Sequence, residues 1–147
     1  MKKLLTLALA GVLALSLMAC GESAKAPELG SMSVAYAEDV NEADYAKIAE
    51  GAADKAEVSI ALYTDGKSAQ SVMVESGTLD ESGTEFAPEM AIFGSDMVGP
   101  DTLVLLQVPY FETLPNLRLT YTGAEGTVHY YITQSGKDGS LLLVDAD

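Results

Sequence analysis

The amino-acid sequence predicts a mainly β fold: a small antiparallel β-sandwich carrying one N-terminal alanine-rich helix. Three observations lead there. Short apolar segments alternate with a period of two over much of the chain. Glycine-containing turns separate them at close spacing. Only one stretch, after Asp39, has helical periodicity. The same pattern also fits an α+β arrangement in which the helix packs on a single antiparallel sheet. At 147 residues the chain holds one modest domain.

The helix is expected where Tyr45, Ile48, Ala49, Ala52 and Ala56 recur at helical spacing, with Asp39 or Asn41 as its cap. Gly51 weakens its interior by about 1 kcal/mol relative to alanine. Beyond it the pattern is β. Val58, Ile60 and Leu62 alternate with Glu57, Ser59 and Ala61, Asp65-Gly66 makes a turn, and Val72 and Val74 mark a return strand. Residues 75–85 and 94–100 read as loops, and 86–93 is ambiguous, with Pro88 favouring an edge strand. Leu103 to Val108 is a nearly continuous apolar run, as in a central strand covered on both faces. Leu117, Leu119 and Tyr121, then Val128, Tyr130 and Ile132, form two alternating strands, and Leu141 to Val144 forms a third strand after the Gly136 and Gly139 turn. Short glycine-containing turns join them into an antiparallel meander.

The N-terminus is an address. Met1, Lys2 and Lys3 precede the apolar run Leu4 to Met18, which is too short to span a hydrocarbon core of about 20 residues. The run ends in Leu17-Met18-Ala19-Cys20-Gly21, which resembles the lipobox of bacterial lipoproteins. The resemblance covers only the first 21 residues. It implies that Cys20 takes a diacylglyceryl group, that signal peptidase II cuts before it, and that the protein faces outward from a membrane of the cell envelope. An ordinary A-x-A site, Ala35-Tyr36-Ala37, lies too far beyond the apolar run, with Glu22, Lys25 and Glu28 between. Two or three acyl chains anchor a protein stably where a single chain does not. The expected organisation is a signal peptide over 1–19, a lipidated cysteine and flexible tether over 20–33, and one globular domain over 34–147. The tether reaches roughly 45 Å extended and about 20 Å as a coil.

Charge and composition narrow the function. There are 8 basic and 22 acidic residues, for a net charge of −14, and removal of residues 1–19 takes two lysines away. Such a chain lacks the basic footprint that nucleic acids require. A single cysteine excludes a disulfide framework and a Cys-rich zinc site. His129 is the only histidine, and no G-x-S-x-G elbow or phosphate-cradling glycine loop occurs. Catalysis is therefore not expected, and a hydrolase would have to work with carboxylates alone.

The candidate binding residues are aromatic and acidic. Tyr110 and Phe111 sit between Pro109 and Pro115, and Tyr131 shares with His129 the strand face assigned to solvent. Exposed tyrosines stack on sugars or anchor protein partners. Asp80, Glu81 and Glu85 form the densest acidic loop and are the candidate calcium ligands, although their spacing is shorter than that of an EF-hand. Met90 and Met97 are expected to fill gaps in the core. The leading functional expectation is a non-catalytic module that binds or assembles with another envelope protein. The alternative is a receptor for a glycan, a cationic peptide or calcium.

Overall fold

The computed structural model describes residues 26–147; the expected signal peptide and Cys20 lie outside them. The described residues form nine strands: β1 (Met32–Tyr36), β2 (Lys47–Ala52), β3 (Val58–Thr64), β4 (Ala69–Leu79), β5 (Phe86–Val98), β6 (Thr102–Val108), β7 (Leu117–Gly123), β8 (Gly126–Gln134) and β9 (Leu141–Asp145). They make a four-stranded sheet, β1-β3-β6-β2, and a five-stranded sheet, β5-β4-β7-β8-β9. Ile60, Leu62, Val104 and Leu106 from the first sheet meet Val72, Val74, Leu117, Leu119 and Ile132 from the second in one fully enclosed core. The β class and the sandwich-like pairing of two sheets agree with the sequence, as does the β7-β8-β9 meander. The single sheet with a helix across it is not what forms.

The expected helix is replaced by two single-turn 3₁₀ helices, Ala37–Asp39 and Glu42–Asp44, followed by β2. Asn41 does cap, accepting the Ala43 N–H at 3.2 Å, but only for one turn. The reason is energetic. An alanine stripe buries too little area to hold a helix on the sheet, whereas pairing parallel to β6 satisfies the backbone of both strands. Gly51 points inward there, where a Cβ would stand 2.5 Å from the Ile92 carbonyl oxygen and 2.9 Å from Leu106 Cδ2. The glycine that weakens a helix is the residue that lets this strand seat.

Three boundaries also differ. Leu29 bridges Ser68, the Gly30 N–H donates to Ser68 O at 2.9 Å, and Met32 opens β1, so the domain claims the last residues of the expected tether. The Asp65-Gly66 turn is present, but it carries the chain from one sheet to the other, and β4 does not pair with β3. Finally β4 and β5 run into both expected loops, leaving only 80–85 between them. Register shifts let them do so, because Glu89 and Ile92 are extra residues on β5. Pro88 lies on an edge strand, as expected.

Because β1 and β2 run parallel on opposite edges of their sheet, the 37–46 connection must cross it. Ala61 of β3 and Leu103 of β6, fully buried yet outside the core cluster, lie on that outward face, and the connection packs against β3 there through its first 3₁₀ turn. It carries Glu38, Asp39, Glu42 and Asp44, all exposed. Strand direction sorts the turns into two ends. The N-terminal segment, 65–68, 99–101 and 123–126 lie at one end. Residues 53–57, 80–85, 109–116 and 135–140 lie at the other, distal end, the end with the N-terminal segment being the proximal one.

Candidate functional site

The distal end holds the most exposed aromatic side chain of the described residues. Tyr110 is 65% exposed on the loop between β6 and β7, and Leu114 in the same loop is 45% exposed. The loop is braced from within: buried Asn116 donates its side-chain amide to Tyr110 O at 2.9 Å. Phe111 turns the other way and packs against the core. One of the two expected aromatics thus anchors the loop, and the other is presented to solvent on it. Leu114 escaped sequence reasoning, since a lone leucine between prolines carries no periodicity.

Tyr131 corrects the sequence reading. It does face outward from the five-stranded sheet, yet it is buried to 8% exposure. The Phe86 ring lies 5.8 Å from it, and the Arg118 guanidinium sits 4.8 Å from the Phe86 centroid while pairing with Glu75 at 2.8 Å. Gly77 makes this possible. A Cβ there would collide with the Phe86 ring and the Ala87 carbonyl. His129, in the next outward row, shares a 2.9 Å hydrogen bond with Thr120 through Nδ1. The structure therefore does not bring Tyr131 and His129 into one site with Tyr110: they stand on a sheet face, and Tyr110 on a loop at its end.

The acidic loop is a self-contained turn. The Asp80 carboxylate accepts the Glu85 N–H at 2.8 Å, the Thr84 N–H at 2.7 Å, and the Ser82 and Thr84 hydroxyls. These bonds, the Glu85 N–H foremost and Ser82 next, pull its pKa down to about 2. Asp80 is thus spent on its own loop, and Glu81 and Glu85 are exposed beside it. Among the described residues no group of three acids, histidines or cysteines is placed to hold a metal ion, so the expected calcium cluster is not assembled. Met97 is likewise no core filler, being 43% exposed.

At the proximal end a cleft of about 310 Å³ is lined by Asp65, Lys67, Tyr121, Glu125 and Tyr130, with Gly30 and Ser31 of the N-terminal segment. Tyr121 and Tyr130 stack at 6.1 Å, and the Tyr121 hydroxyl accepts the Met32 N–H at 3.2 Å, tying β1 to the opposite sheet. Burial raises the Tyr121 pKa. Asp65 is held below the usual carboxylate range, first by the Ser31 N–H, so it stays ionised and is no source of a proton. Lys67 pairs with Glu28 at 3.1 Å. Comparison with protein-family models, with curated proteins and with solved structures finds no match. No helix of the described residues is long and apolar enough to cross a membrane.

Proposed function

We propose that this protein is a non-catalytic binding module of the cell envelope, anchored to a membrane through acylated Cys20 and engaging another envelope protein through the loop that carries Tyr110. The observation that carries this reading is polarity along the long axis. The N-terminal segment joins the fold at one end, while Tyr110 and Leu114 are presented by a braced loop at the other. A domain held at its N-terminus on a short tether offers such a loop away from the lipid surface. An exposed tyrosine on a braced loop has the character of a binding hot spot, since it gives a large contact area at low entropic cost, and Leu114 adds exposed apolar area in the same loop.

Two experiments test it. Cys20→Ser should leave an unprocessed precursor; normal maturation of that variant removes the anchor. A photo-crosslinking side chain at Tyr110 in the native envelope should capture one dominant protein, and the same probe at Lys67 should not. Equal capture from both ends would remove the distal loop from the proposal.

The proximal cleft favours a second reading, a receptor for a small cationic ligand. Asp65 and Glu125 supply negative charge and Tyr130 an aromatic wall. Calcium or a cationic peptide that raised the melting temperature, an effect abolished by Glu125→Gln, would favour it.

A further inference from the structure

We propose that the proximal cleft binds a small zwitterion, a primary ammonium joined by a short spacer to a phosphate, with Glu125 taking the ammonium and Lys67 the phosphate. The proposal rests on the second reading above, that this cleft holds a ligand, and adds an anion to that ligand. Two tight turns form the lips of the cleft. The turn after β3 carries Lys67, and the turn between β7 and β8 carries Glu125, both exposed. Gly66 and Gly126, at φ +96° and +105°, close these turns in a conformation that a Cβ would strain. The two lips thus bear opposite charges on separate, tightly turned supports.

The N-terminal segment forms a third side. The Gly30 carbonyl lies against Gly123, where any Cβ would collide with it. The Asp65 carboxylate braces the segment by accepting the Ser31 N–H and, at 3.2 Å, the Ser31 hydroxyl. Asp65 is thus engaged in building the cleft. Glu125 forms no ion pair among the described residues and is the carboxylate left to a ligand. Lys67 does pair with Glu28 at 3.1 Å, but the two side chains are 45% and 77% exposed. A pair so exposed is worth little, and a phosphate can displace it.

The two charges together identify the ligand. A simple cation would meet the Lys67 ammonium on the rim, and a simple anion would meet Glu125 and Asp65. A molecule that carries both signs satisfies both lips at once. Its cationic end is a primary ammonium, which donates hydrogen bonds to a carboxylate as a quaternary one cannot, and Tyr130 offers it an aromatic wall. Its anionic end is a phosphate, which a lysine binds as a point charge. At about 310 Å³ the cleft is at the small end of the ~300–1,000 Å³ typical of ligand sites, which suits a molecule the size of a lipid headgroup. Under the proposed anchoring this end of the domain stands beside the lipid surface. A phosphatidylethanolamine headgroup and free phosphoethanolamine both carry the required chemistry.

Residues 20–147 carrying Cys20→Ser include every described strand and the enclosed core, so that chain serves for titration. The readout is the amide NMR signals of Gly30, Gly123 and Gly126. Phosphoethanolamine should shift them saturably, with ethanolamine alone and inorganic phosphate alone each about tenfold weaker or worse. Glu125→Gln and Lys67→Gln should each weaken phosphoethanolamine by about tenfold and leave the melting temperature unchanged, since both side chains are exposed. Lys67→Gln should not weaken ethanolamine, and Lys137→Gln, at the distal end, should change neither ligand. Cosedimentation with vesicles of phosphatidylethanolamine in phosphatidylcholine, and not with phosphatidylcholine alone, supports the site and assigns its ligand to the lipid. Saturable shifts without cosedimentation support it with the free molecule as ligand. Ethanolamine binding as tightly as phosphoethanolamine overturns the proposal and spares the second reading. Silence toward both at about 20 mM overturns the two together. An affinity indifferent to Glu125→Gln and Lys67→Gln overturns the proposal as well.

Discussion

Ser71 has a φ of +48°, a left-handed conformation that L-residues avoid, at the place where β4 carries an extra residue opposite β7. Such a backbone costs about 1–2 kcal/mol in a residue with a Cβ, part of which glycine returns in chain entropy. Ser71→Gly should therefore stabilise the domain by roughly 0.5–1 kcal/mol, read from denaturant unfolding. At Asp80 the expected readout is titration. A side-chain NMR titration should give a pKa of about 2. Because its folded pKa lies below the unfolded value, its contribution is complete above the ordinary aspartate range and disappears as pH falls toward 2. Asp80→Asn should show the same loosening of the 80–85 loop at neutral pH, as faster exchange of the Thr84 and Glu85 amides. Tyr121→Phe removes the acceptor for the buried Met32 N–H and should cost about 1–2 kcal/mol.

At the scale of elements, β2 and β5 mark where local pattern and tertiary pairing part. The 45–56 stretch satisfies helical spacing, and propensity alone prefers a helix. The open edge of β6 prevails because it supplies a complete set of backbone partners to a segment with little side-chain area to bury. Tyr131 is a related case. Its alternation assigns it to the outward face correctly, but Phe86, from a segment whose pattern is ambiguous, folds across Gly77 to cover it. Tyr131→Ala should accordingly cost roughly 3 kcal/mol, the range of a large aromatic truncation in a packed environment. Tyr110→Ala should stay within about 0.5 kcal/mol of the wild type, since the ring is exposed. If thermal or chemical denaturation gave equal losses at the two positions, the distinction between cover and presentation would fail. The signal that could have found Tyr131's burial is the Phe86–Gly77 pairing, and no single-segment period contains it.

For the whole molecule, charge and topology act together. With 22 acids against 8 bases, self-repulsion opposes the compact state, so added monovalent salt should raise the melting temperature of the domain by a few degrees. Scanning calorimetry across a salt series checks the sign. The alternation and turns of residues 117–144 determined the meander by themselves, because strands joined by short turns have little choice of neighbour. The apolar run 103–108 determined its own central place for a similar reason, since no exposed position suits it. Which sheet β4 joined, that residues 47–52 of the expected helix became an edge strand, and that one candidate aromatic was covered and another presented were decided only by the tertiary structure. Each of those outcomes depends on backbone groups and side chains brought together from segments distant in the chain, and a period of two or of 3.6 reports only on neighbours.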